Sequence, residues 1–284
     1  KEAEISTLKA IKIKPDYAEA HLNLGNLYKA IGKYNESINH YNKAFNINKD
    51  LSIAKAGLIE SKGLICDWSD QENQVVWLEK LGIEGSCVNP LSLFYYEDNP
   101  LKQLKRAQNL YDEKYLKEST FIDRVKNEKI HIGYFSSDFK AHPVMYLISM
   151  ILKLHDKSKF KIYLYSFVPE EDEYTEIAKN SGCIFKNIKE LTDNEVVELA
   201  RKDRLNIAID LMGYSKYSRM NIFSYRVAPI QINYLGFPGT LGDDNIDYII
   251  GDEVVIPKGS EKFYTEKIIR MPNSYQCNDD KKGI

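Results

Sequence analysis

The chain has few cysteines and no long apolar run, and each shortage argues against a class of protein. Its four cysteines lack C-x-x-C spacing and histidines at zinc-binding distances, so reduced thiols and no metal site are expected. No run of 18 apolar residues suggests a membrane segment. The 39 basic residues are scattered and balanced by 41 acidic ones, which predicts no nucleic-acid partner. With no signal peptide visible, the expected location is cytoplasmic.

The first 60 residues are predicted to be helical and to repeat every 34 residues. Lys9 recurs as Lys43, and Asp16 recurs as Asp50. Small and aromatic residues occupy the signature positions of a tetratricopeptide repeat, namely Leu24, Gly25, Tyr28, Ser37, Tyr41 and Ala44. Gly25 is expected to let two helices approach closely, with an aromatic ring filling the gap between them. The alternative for this segment is an ordinary helical hairpin.

The repeat is expected to lie at the end of an array. Pro15 closes the preceding unit, whereas Lys49 stands where that proline would recur. One repeat and the tail of another bury too little surface to be stable alone, so further repeats are expected upstream. The chain begins without Met and ends without a closing element. We therefore expect it to be a fragment of a longer protein.

Residues 61–125 are predicted to form a helical bridge. Trp68 and Trp77 suggest helical packing, and the pair Asn99-Pro100 marks a break. An amphipathic helix is predicted from Leu101 to Tyr115.

From Lys129 onward, apolar runs of strand length alternate with helical stretches. Runs that are apolar on both faces are typical of a parallel sheet covered by helices. The seven runs are KIHIGYF, FKIYLYSFV, CIFKNI, NIAIDLMG, INYLGF, IDYIIGD and KIIRMP. Thr192, with Glu195 three residues later, predicts a capping box for a helix from Asp193 to Arg204. Residues 126–284 are therefore predicted to form a Rossmann-like α/β domain.

The loop after the first run holds the best candidates for chemistry. Asp138 and His142 follow a strand, and ligands of open α/β sheets bind at the carboxyl ends of strands. A carboxylate and an imidazole four residues apart can act as an acid–base pair. On spacing alone, a helix N-cap beside a surface histidine is an equally good explanation.

Five segments, in this order, resemble the O-linked N-acetylglucosamine transferases, the SPINDLY-like glycosyltransferases of family 41. They are the tetratricopeptide repeat, ICDWSD at Ile65–Asp70, IGYFSSDFKAHP at Ile132–Pro143, DLMGYSKYSR at Asp210–Arg219 and RVAPIQINYLGFPGT at Arg226–Thr240. The resemblance implies an α-helical tetratricopeptide solenoid followed by the first, Rossmann-like half of a GT-B glycosyltransferase. It also implies that the second half, which holds most of the UDP contacts, is absent, so the fragment alone is expected to be inactive.

The resemblance also assigns roles within the site. His142 is expected to be the catalytic base or to position the acceptor, with Asp138 in support or in a proton relay, and their order stays open. The residues expected to bind substrate are Pro143, Tyr214, Leu235, Gly236 and Pro238. Val144 and Tyr146 depart from the animal members, which carry a threonine and a second histidine there. A histidine that some relatives carry in the bridge has no counterpart in residues 90–115.

From the residues alone, ordinary structural roles are open for the same loops. Tyr214 follows a strand and a glycine, so its alternative role is that of a ring packed after a turn. The alternative for residues 235–240 is a simple turn. Lys216 and Arg219 are expected to be solvated cations, with contacts to a phosphate or to carboxylates of the acceptor as the alternative. The acidic run at Glu170–Glu173 is expected to be a solvated loop.

The implied activity is inverting transfer of N-acetylglucosamine from UDP-GlcNAc to serine or threonine hydroxyls of proteins, with no cofactor and no metal. Acceptor proteins are expected to bind in the groove of the tetratricopeptide repeats. Two alternatives are a related GT-B glycosyltransferase with another sugar or acceptor and a non-catalytic repeat scaffold.

Overall fold

The computed structural model describes residues 2–69, 76–115 and 126–278. Its contacts divide the chain into two compact units, residues 1–113 and residues 114–284. The three-part division into 1–60, 61–125 and 126–284 stays a prediction, since residues 116–125 lie outside the described ranges. None of the helices in those ranges has the length and apolar character needed to cross a membrane.

The first unit begins with helices α1 (Glu2–Ile13), α2 (Ala18–Ala30), α3 (Tyr34–Ile47) and α4 (Ser52–Leu64). Gly25 on α2 and Gly57 on α4 both face the ring of Tyr41 on α3. A Cβ atom would lie 2.6 Å from a ring carbon at Gly25 and 2.4 Å from one at Gly57. Tyr41 is fully buried, and its hydroxyl donates to Asn26 Oδ1 at 2.6 Å. The predicted close approach at Gly25 is therefore confirmed, and one ring lies between three helices.

A buried arginine ties the rest of this unit together. Within the described residues, the later elements include a 3₁₀ turn at Pro90–Leu93 and helix α5 at Pro100–Lys114, which confirms the predicted amphipathic helix. The guanidinium of Arg106 on α5 is fully buried and donates to the carbonyl oxygens of Leu78 and Leu81. It also pairs with Glu97 at 2.6 Å. The charge is therefore compensated inside the unit.

The second unit is built on a parallel sheet of seven strands. The strands are β1 (Ile130–Ser136), β2 (Phe160–Ser166), β3 (Ile184–Asn187), β4 (Ile207–Asp210), β5 (Ile230–Tyr234), β6 (Tyr248–Gly251) and β7 (Lys267–Arg270). Their order is β3-β2-β1-β4-β5-β6-β7, and every neighbouring pair is parallel. All seven predicted strands are confirmed.

The helices of this unit are α6 (Pro143–Leu154), α7 (Glu173–Lys179), α8 (Asp193–Lys202) and α9 (Asn221–Ser224), with a 3₁₀ turn at Glu261–Phe263. The predicted capping box is confirmed, because Thr192 Oγ1 accepts the Glu195 N–H and Glu195 accepts the Thr192 N–H. Helix α8 ends before the predicted Arg204, which adopts a φ of +55°. A left-handed residue cannot continue an α-helix.

The strand order reverses between β1 and β4, since the chain passes from β1 to β2 on one side and returns to β4 on the other. Such a switch point opens a crevice at the carboxyl ends of the strands. The loops after β1 and β4, residues 137–142 and 211–220, flank this crevice, and the loop after β5 lies next to them. The three sequence segments with candidate site residues therefore meet at one end of the sheet.

Candidate functional site

The loop after β1 is fixed at both ends by polar side chains. Ser136, the last residue of β1, accepts the Asp138 N–H on its Oγ at 2.9 Å. Asp172 caps helix α7 and also accepts the Ala141 N–H at 2.7 Å. Burial would raise the pKa of Asp172, but the backbone N–H groups around it lower the pKa by more. One member of the acidic run is therefore part of the site's framework rather than a solvated loop residue.

Asp138 and His142 face each other across this loop. Asp138 Oδ2 lies 3.4 Å from His142 Nδ1, with side-chain exposures of 10% for the aspartate and 39% for the histidine. His142 is also the N-cap of α6, and the same Nδ1 lies 3.3 Å from the Val144 nitrogen. Both of the explanations that the sequence left open are therefore present in the geometry.

The two contacts of His142 compete for one nitrogen. Accepting the Val144 N–H needs a bare Nδ1, whereas a hydrogen bond to the Asp138 carboxylate needs a proton there. In the second arrangement Nε2 is bare and available to a substrate as a base. The tautomer of this ring therefore decides whether the pair caps a helix or performs chemistry.

Burial and neighbouring groups act in opposite directions on the charge of Asp138. Burial raises the pKa of Asp138, while His142, a hydrogen bond from Ser137 and the charge of Lys140 act in the opposite direction. The carboxylate of Asp138 therefore faces the imidazole of His142 from a mostly buried position.

A buried carboxyl holds the turn after β4. Asp210 is completely buried and accepts the N–H groups of Met212 at 2.9 Å and Gly213 at 2.8 Å. Burial raises its pKa to about 6, although the two hydrogen bonds lower it. Sequence reasoning missed this role. The available signal was a charged residue at the end of a wholly apolar strand.

Tyr214 connects two of the site loops. Its ring is 2% exposed and packs edge-on against Phe237, with 5.5 Å between the ring centroids. Its hydroxyl donates to the carbonyl oxygen of Leu241. The contacts in the structure are those of a packed ring, and a contact with the acceptor stays a prediction.

The loop after β5 passes unusually close to the loop after β4. Leu235 has a φ of +73°, and the Gly236 N–H donates to Tyr234 O at 2.9 Å, which together form the strained, positive-φ kind of γ-turn. A Cβ atom on Gly236 would lie 1.9 Å from the carbonyl oxygen of Leu211. The close approach of the two backbones therefore requires a glycine at position 236.

Two further buried polar side chains hold the loop after β5. Asn233 Nδ2 donates to Phe237 O at 3.0 Å. Glu266 accepts from the Thr240 hydroxyl and from the Leu241 N–H, each at 2.7 Å. Burial raises the pKa of Glu266, and these hydrogen bonds act against the shift. Sequence reasoning found neither residue.

The three loops line a pocket of about 330 Å³ at the switch point. Its walls are formed by Asp138, Lys140, His142, Val144, Ser215, Lys216, Tyr217 and Gly236. Three of the predicted site residues, His142, Asp138 and Gly236, therefore meet in one pocket. Of the other four, Tyr214, Leu235 and Pro238 lie in the same loops outside its wall, and Pro143 is the first residue of α6. In the described part of the chain, no three His, Cys, Asp or Glu side chains converge as a metal site.

The cations of these loops separate into two kinds. Lys140 and Lys216 line the pocket, and sequence reasoning missed the first of them. Arg219 instead donates to the carbonyl oxygens of Ile188 and Leu191 and pairs with Asp193 at 2.7 Å. Arg219 therefore holds the framework, and the expectation that it is solvated is wrong.

Family comparison places this site in a known context. A model of glycosyl transferase family 41 matches residues 103–284, and a tetratricopeptide-repeat model matches residues 18–51. The chain belongs to glycosyl transferase family 41. The α/β unit with its switch-point pocket is thus the part of the chain that carries the family match.

Relatives from plants and an animal resemble the chain over part of their length. It is 32% identical over 156 residues to a probable UDP-N-acetylglucosamine–peptide N-acetylglucosaminyltransferase, SEC, of Arabidopsis thaliana, covering 55% of this chain and 16% of that protein. It is 30% identical over 236 residues to the UDP-N-acetylglucosamine–peptide N-acetylglucosaminyltransferase of Caenorhabditis elegans, covering 76% and 20%. The chain thus spans about a fifth or less of these relatives.

A solved structure shares the fold. A mutant O-GlcNAc transferase of Thermobaculum terrenum matches with a TM-score of 0.70 and 24% identity, covering 96% of this chain and 54% of that chain. At this identity the likeness shows the fold alone. The predicted fold class, helical repeats followed by a Rossmann-like α/β unit, is confirmed.

Proposed function

We propose that the protein containing this chain transfers N-acetylglucosamine from UDP-GlcNAc to serine or threonine hydroxyls of proteins. The observation that carries the proposal is the Asp138–His142 pair in the switch-point pocket of a family 41 domain. The names of the relatives support UDP-N-acetylglucosamine as donor and a peptide as acceptor.

In the proposed reaction the acceptor hydroxyl attacks the anomeric carbon of the sugar. A new C–O bond forms as the bond to the phosphate oxygen breaks, the configuration inverts, and UDP leaves with the bonding electrons. The acceptor proton passes to Nε2 of His142. For this step Nδ1 keeps its proton and donates it to Asp138 Oδ2, so the helix-capping contact from Val144 is given up.

The other predicted residues position the pocket or contact substrate. Pro143 presets the first turn of α6 and thereby the orientation of the N-cap residue. We propose that Tyr214, Leu235, Gly236 and Pro238 bind the donor sugar and the acceptor, Gly236 from the pocket wall and the other three from the loops beside it. The groove of the tetratricopeptide repeats is the proposed binding place for acceptor proteins, and the cytoplasm is the proposed compartment.

A second candidate is a GT-B glycosyltransferase that uses a different sugar. Tyr146 lies one helical turn after His142, and its ring packs against Tyr174 with 4.9 Å between centroids. The resemblance had placed a histidine at this position in animal members. A bulky ring pair near the base favours a changed sugar contact, and comparing UDP-GlcNAc with UDP-glucose as donors separates the two candidates.

The test is transfer of radiolabelled sugar from UDP-GlcNAc to lysate proteins by the full-length parent protein. His142→Ala is expected to reduce labelling roughly a hundredfold or more, because it removes the general base. Asp138→Asn is expected to reduce it less, since the imidazole remains. Lys153→Ala, at an exposed position on α6, serves as the matched control and is expected to label normally.

Each outcome of this assay supports or contradicts one part of the proposal. Absence of labelling by a folded wild type contradicts the proposed donor or acceptor, and preferred transfer from UDP-glucose supports the second candidate. Full labelling by both pair variants contradicts their proposed roles.

A further inference from the structure

We infer that the amino-terminal edge of the sheet carries a binding site for an acidic peptide segment with apolar side chains. The site is a pocket of about 430 Å³ at the beginnings of β1, β2 and β3. It lies at the opposite ends of these strands from Asp138 and His142. The inference goes beyond the proposed transferase activity and does not depend on it.

Lysine side chains dominate the charge of this pocket. Lys129, Lys157 and Lys161 line it together with His131, and Glu128 is its one acidic lining residue. Within the described ranges, none of the three lysines forms an ion pair. A concave surface on which three lysines outnumber one carboxylate attracts an anionic partner.

Two of the carboxylates near the pocket already have cationic partners of their own. Asp156 pairs with Lys159 at 3.2 Å, and Asp203 pairs with Lys186 at 2.5 Å. Asp203 also accepts from the Tyr165 hydroxyl at 2.6 Å. Glu128 lines the pocket, and the charge of Asp203 acts on Lys161, but the three lysines still leave an excess of positive charge for a ligand.

A backbone contact, a space beside a glycine and an aromatic ring place the three ammonium groups at the pocket. Lys129 Nζ donates to the carbonyl oxygen of Lys157 at 2.8 Å. Lys157 Nζ lies 2.1 Å from where a Cβ atom on Gly182 would stand, so the glycine, with a φ of +79°, provides the space for this side chain. Lys161 Nζ lies 5.3 Å from the centroid of the Tyr163 ring. Less entropy is lost on binding when cations are already placed.

The apolar wall selects among anionic ligands. Phe160, Ile162 and Ile184 line the pocket beside the lysines, and Ile184 is 39% exposed. A free phosphate gains nothing from such a wall, whereas a peptide that mixes acidic and apolar residues covers it. Lysines act as separate point charges, without the planar fork with which arginine grips one phosphate. The occupant that fits both features is a peptide.

Fluorescence anisotropy with a labelled peptide of alternating glutamate and valine tests the site on the 284-residue chain. Saturable binding that weakens with added salt is expected. The variant K129Q/K157Q/K161Q is expected to bind about tenfold more weakly, because three exposed ion pairs are lost. The matched control K153Q/K202Q/K262Q removes the same charge from exposed positions elsewhere and is expected to change binding by less than about twofold. Circular dichroism checks that both variants fold.

Two further measurements separate the contribution of the apolar wall to peptide binding from that of the charges. Ile184→Ser is expected to weaken binding a few-fold with unchanged salt dependence, because it removes apolar wall but no charge. Inorganic pyrophosphate is the competitor, and it is expected to displace the peptide poorly. No saturable binding by wild type, equal weakening in the two triple variants, or tighter binding of pyrophosphate than of the peptide would each overturn the inference.

Discussion

The helical unit and the α/β unit both depend on a glycine at a close contact, but the group opposite the glycine differs. In the helical unit, Gly25 and Gly57 face the ring of Tyr41, which is a side chain. In the α/β unit, Gly236 faces the carbonyl oxygen of Leu211, which is backbone. A repeat can therefore adjust by exchanging side chains. The switch-point pocket has no such freedom, because every residue at position 211 has a carbonyl.

The largest expected effect is that of Gly236→Ala. The added Cβ would stand 1.9 Å from Leu211 O, so the loops after β4 and β5 must separate. We expect a loss of roughly 3 kcal/mol in the unfolding free energy of the α/β unit. Hydrogen exchange of the Met212 and Gly213 amides measures this loosening locally.

The side-chain control for this prediction is Leu211→Ala combined with Gly236→Ala. Truncating the leucine leaves the carbonyl in place, so no rescue is expected. Recovery of stability in the double variant would show that the conflict involves the side chain, and the contrast between the two units would then be lost.

A smaller effect, of roughly 2 kcal/mol, is expected for Gly25→Ala in the helical unit. The new Cβ would lie 2.6 Å from two carbons of the buried Tyr41 ring. In a Tyr41→Leu background the same substitution is expected to cost far less, because the opposing ring is gone. The chain's two tryptophans, Trp68 and Trp77, both lie in this unit, so urea unfolding followed by tryptophan fluorescence reports it selectively.

The double-mutant cycle sharpens the comparison. We expect a large coupling energy between positions 25 and 41. Between the side chains at positions 211 and 236 we expect none. If the losses of unfolding free energy at positions 25 and 41 are additive, the whole helices move apart to accommodate the new Cβ atom, and the Tyr41 ring does not oppose it specifically.

Periodicity was sufficient to predict most of the fold. The 34-residue repeat and the seven apolar runs each extend over many residues, so single exceptions such as Lys49 did not obscure them. The predicted end of α8 is wrong because Arg204 adopts a left-handed conformation, and the presence of an arginine in a sequence does not predict that conformation. The end of a helix or strand can depend on the conformation of one residue, whereas the presence of the helix or strand is predicted from the pattern of many residues.

The site was only partly predictable for the same reason. Asp138 and His142 stood out because two reactive side chains follow one strand. Asp210, Asp172 and Arg219 act through bonds to backbone groups far along the chain or in tight turns, and such bonds leave no periodic signal. The framework of the pocket therefore became visible only once the loops were placed in space.

A helix cap gives the baseline for a purely local contact. Thr192→Ala removes the hydroxyl that accepts the Glu195 N–H, and about 1 kcal/mol of stability is expected to be lost. Thr192→Ser keeps the hydroxyl and is expected to restore most of it. Thermal unfolding of the two variants measures the difference, and a loss as large as that of Gly236→Ala would mean that this cap is not a local element.

The smallest expected effect is a difference in pH dependence between the units. Burial, and then the charges of His21 and Lys43, lower the pKa of His40, so the unfolded chain binds this proton first as pH falls below about 6.5. The helical unit is expected to lose stability on acidification. The pKa of Asp210 is raised to about 6, so the folded state binds that proton first and the contribution of Asp210 to stability grows as pH falls.

Unfolding between about pH 7 and about pH 5.5 measures these opposite slopes, with tryptophan fluorescence for the helical unit and exchange of the Gly213 amide for the α/β unit. His40→Gln is expected to flatten the first slope and Asp210→Asn the second, because each removes the titrating group. Burial in the α/β unit lowers the pKa of His155, so its effect on the pH dependence of stability opposes that of Asp210. The role of Asp210 is therefore judged from the difference between the slopes of Asp210→Asn and wild type, and not from the wild-type slope alone. A slope unchanged by Asp210→Asn would mean that this carboxyl keeps its charge and its two hydrogen bonds throughout, and the turn after β4 would then be insensitive to pH.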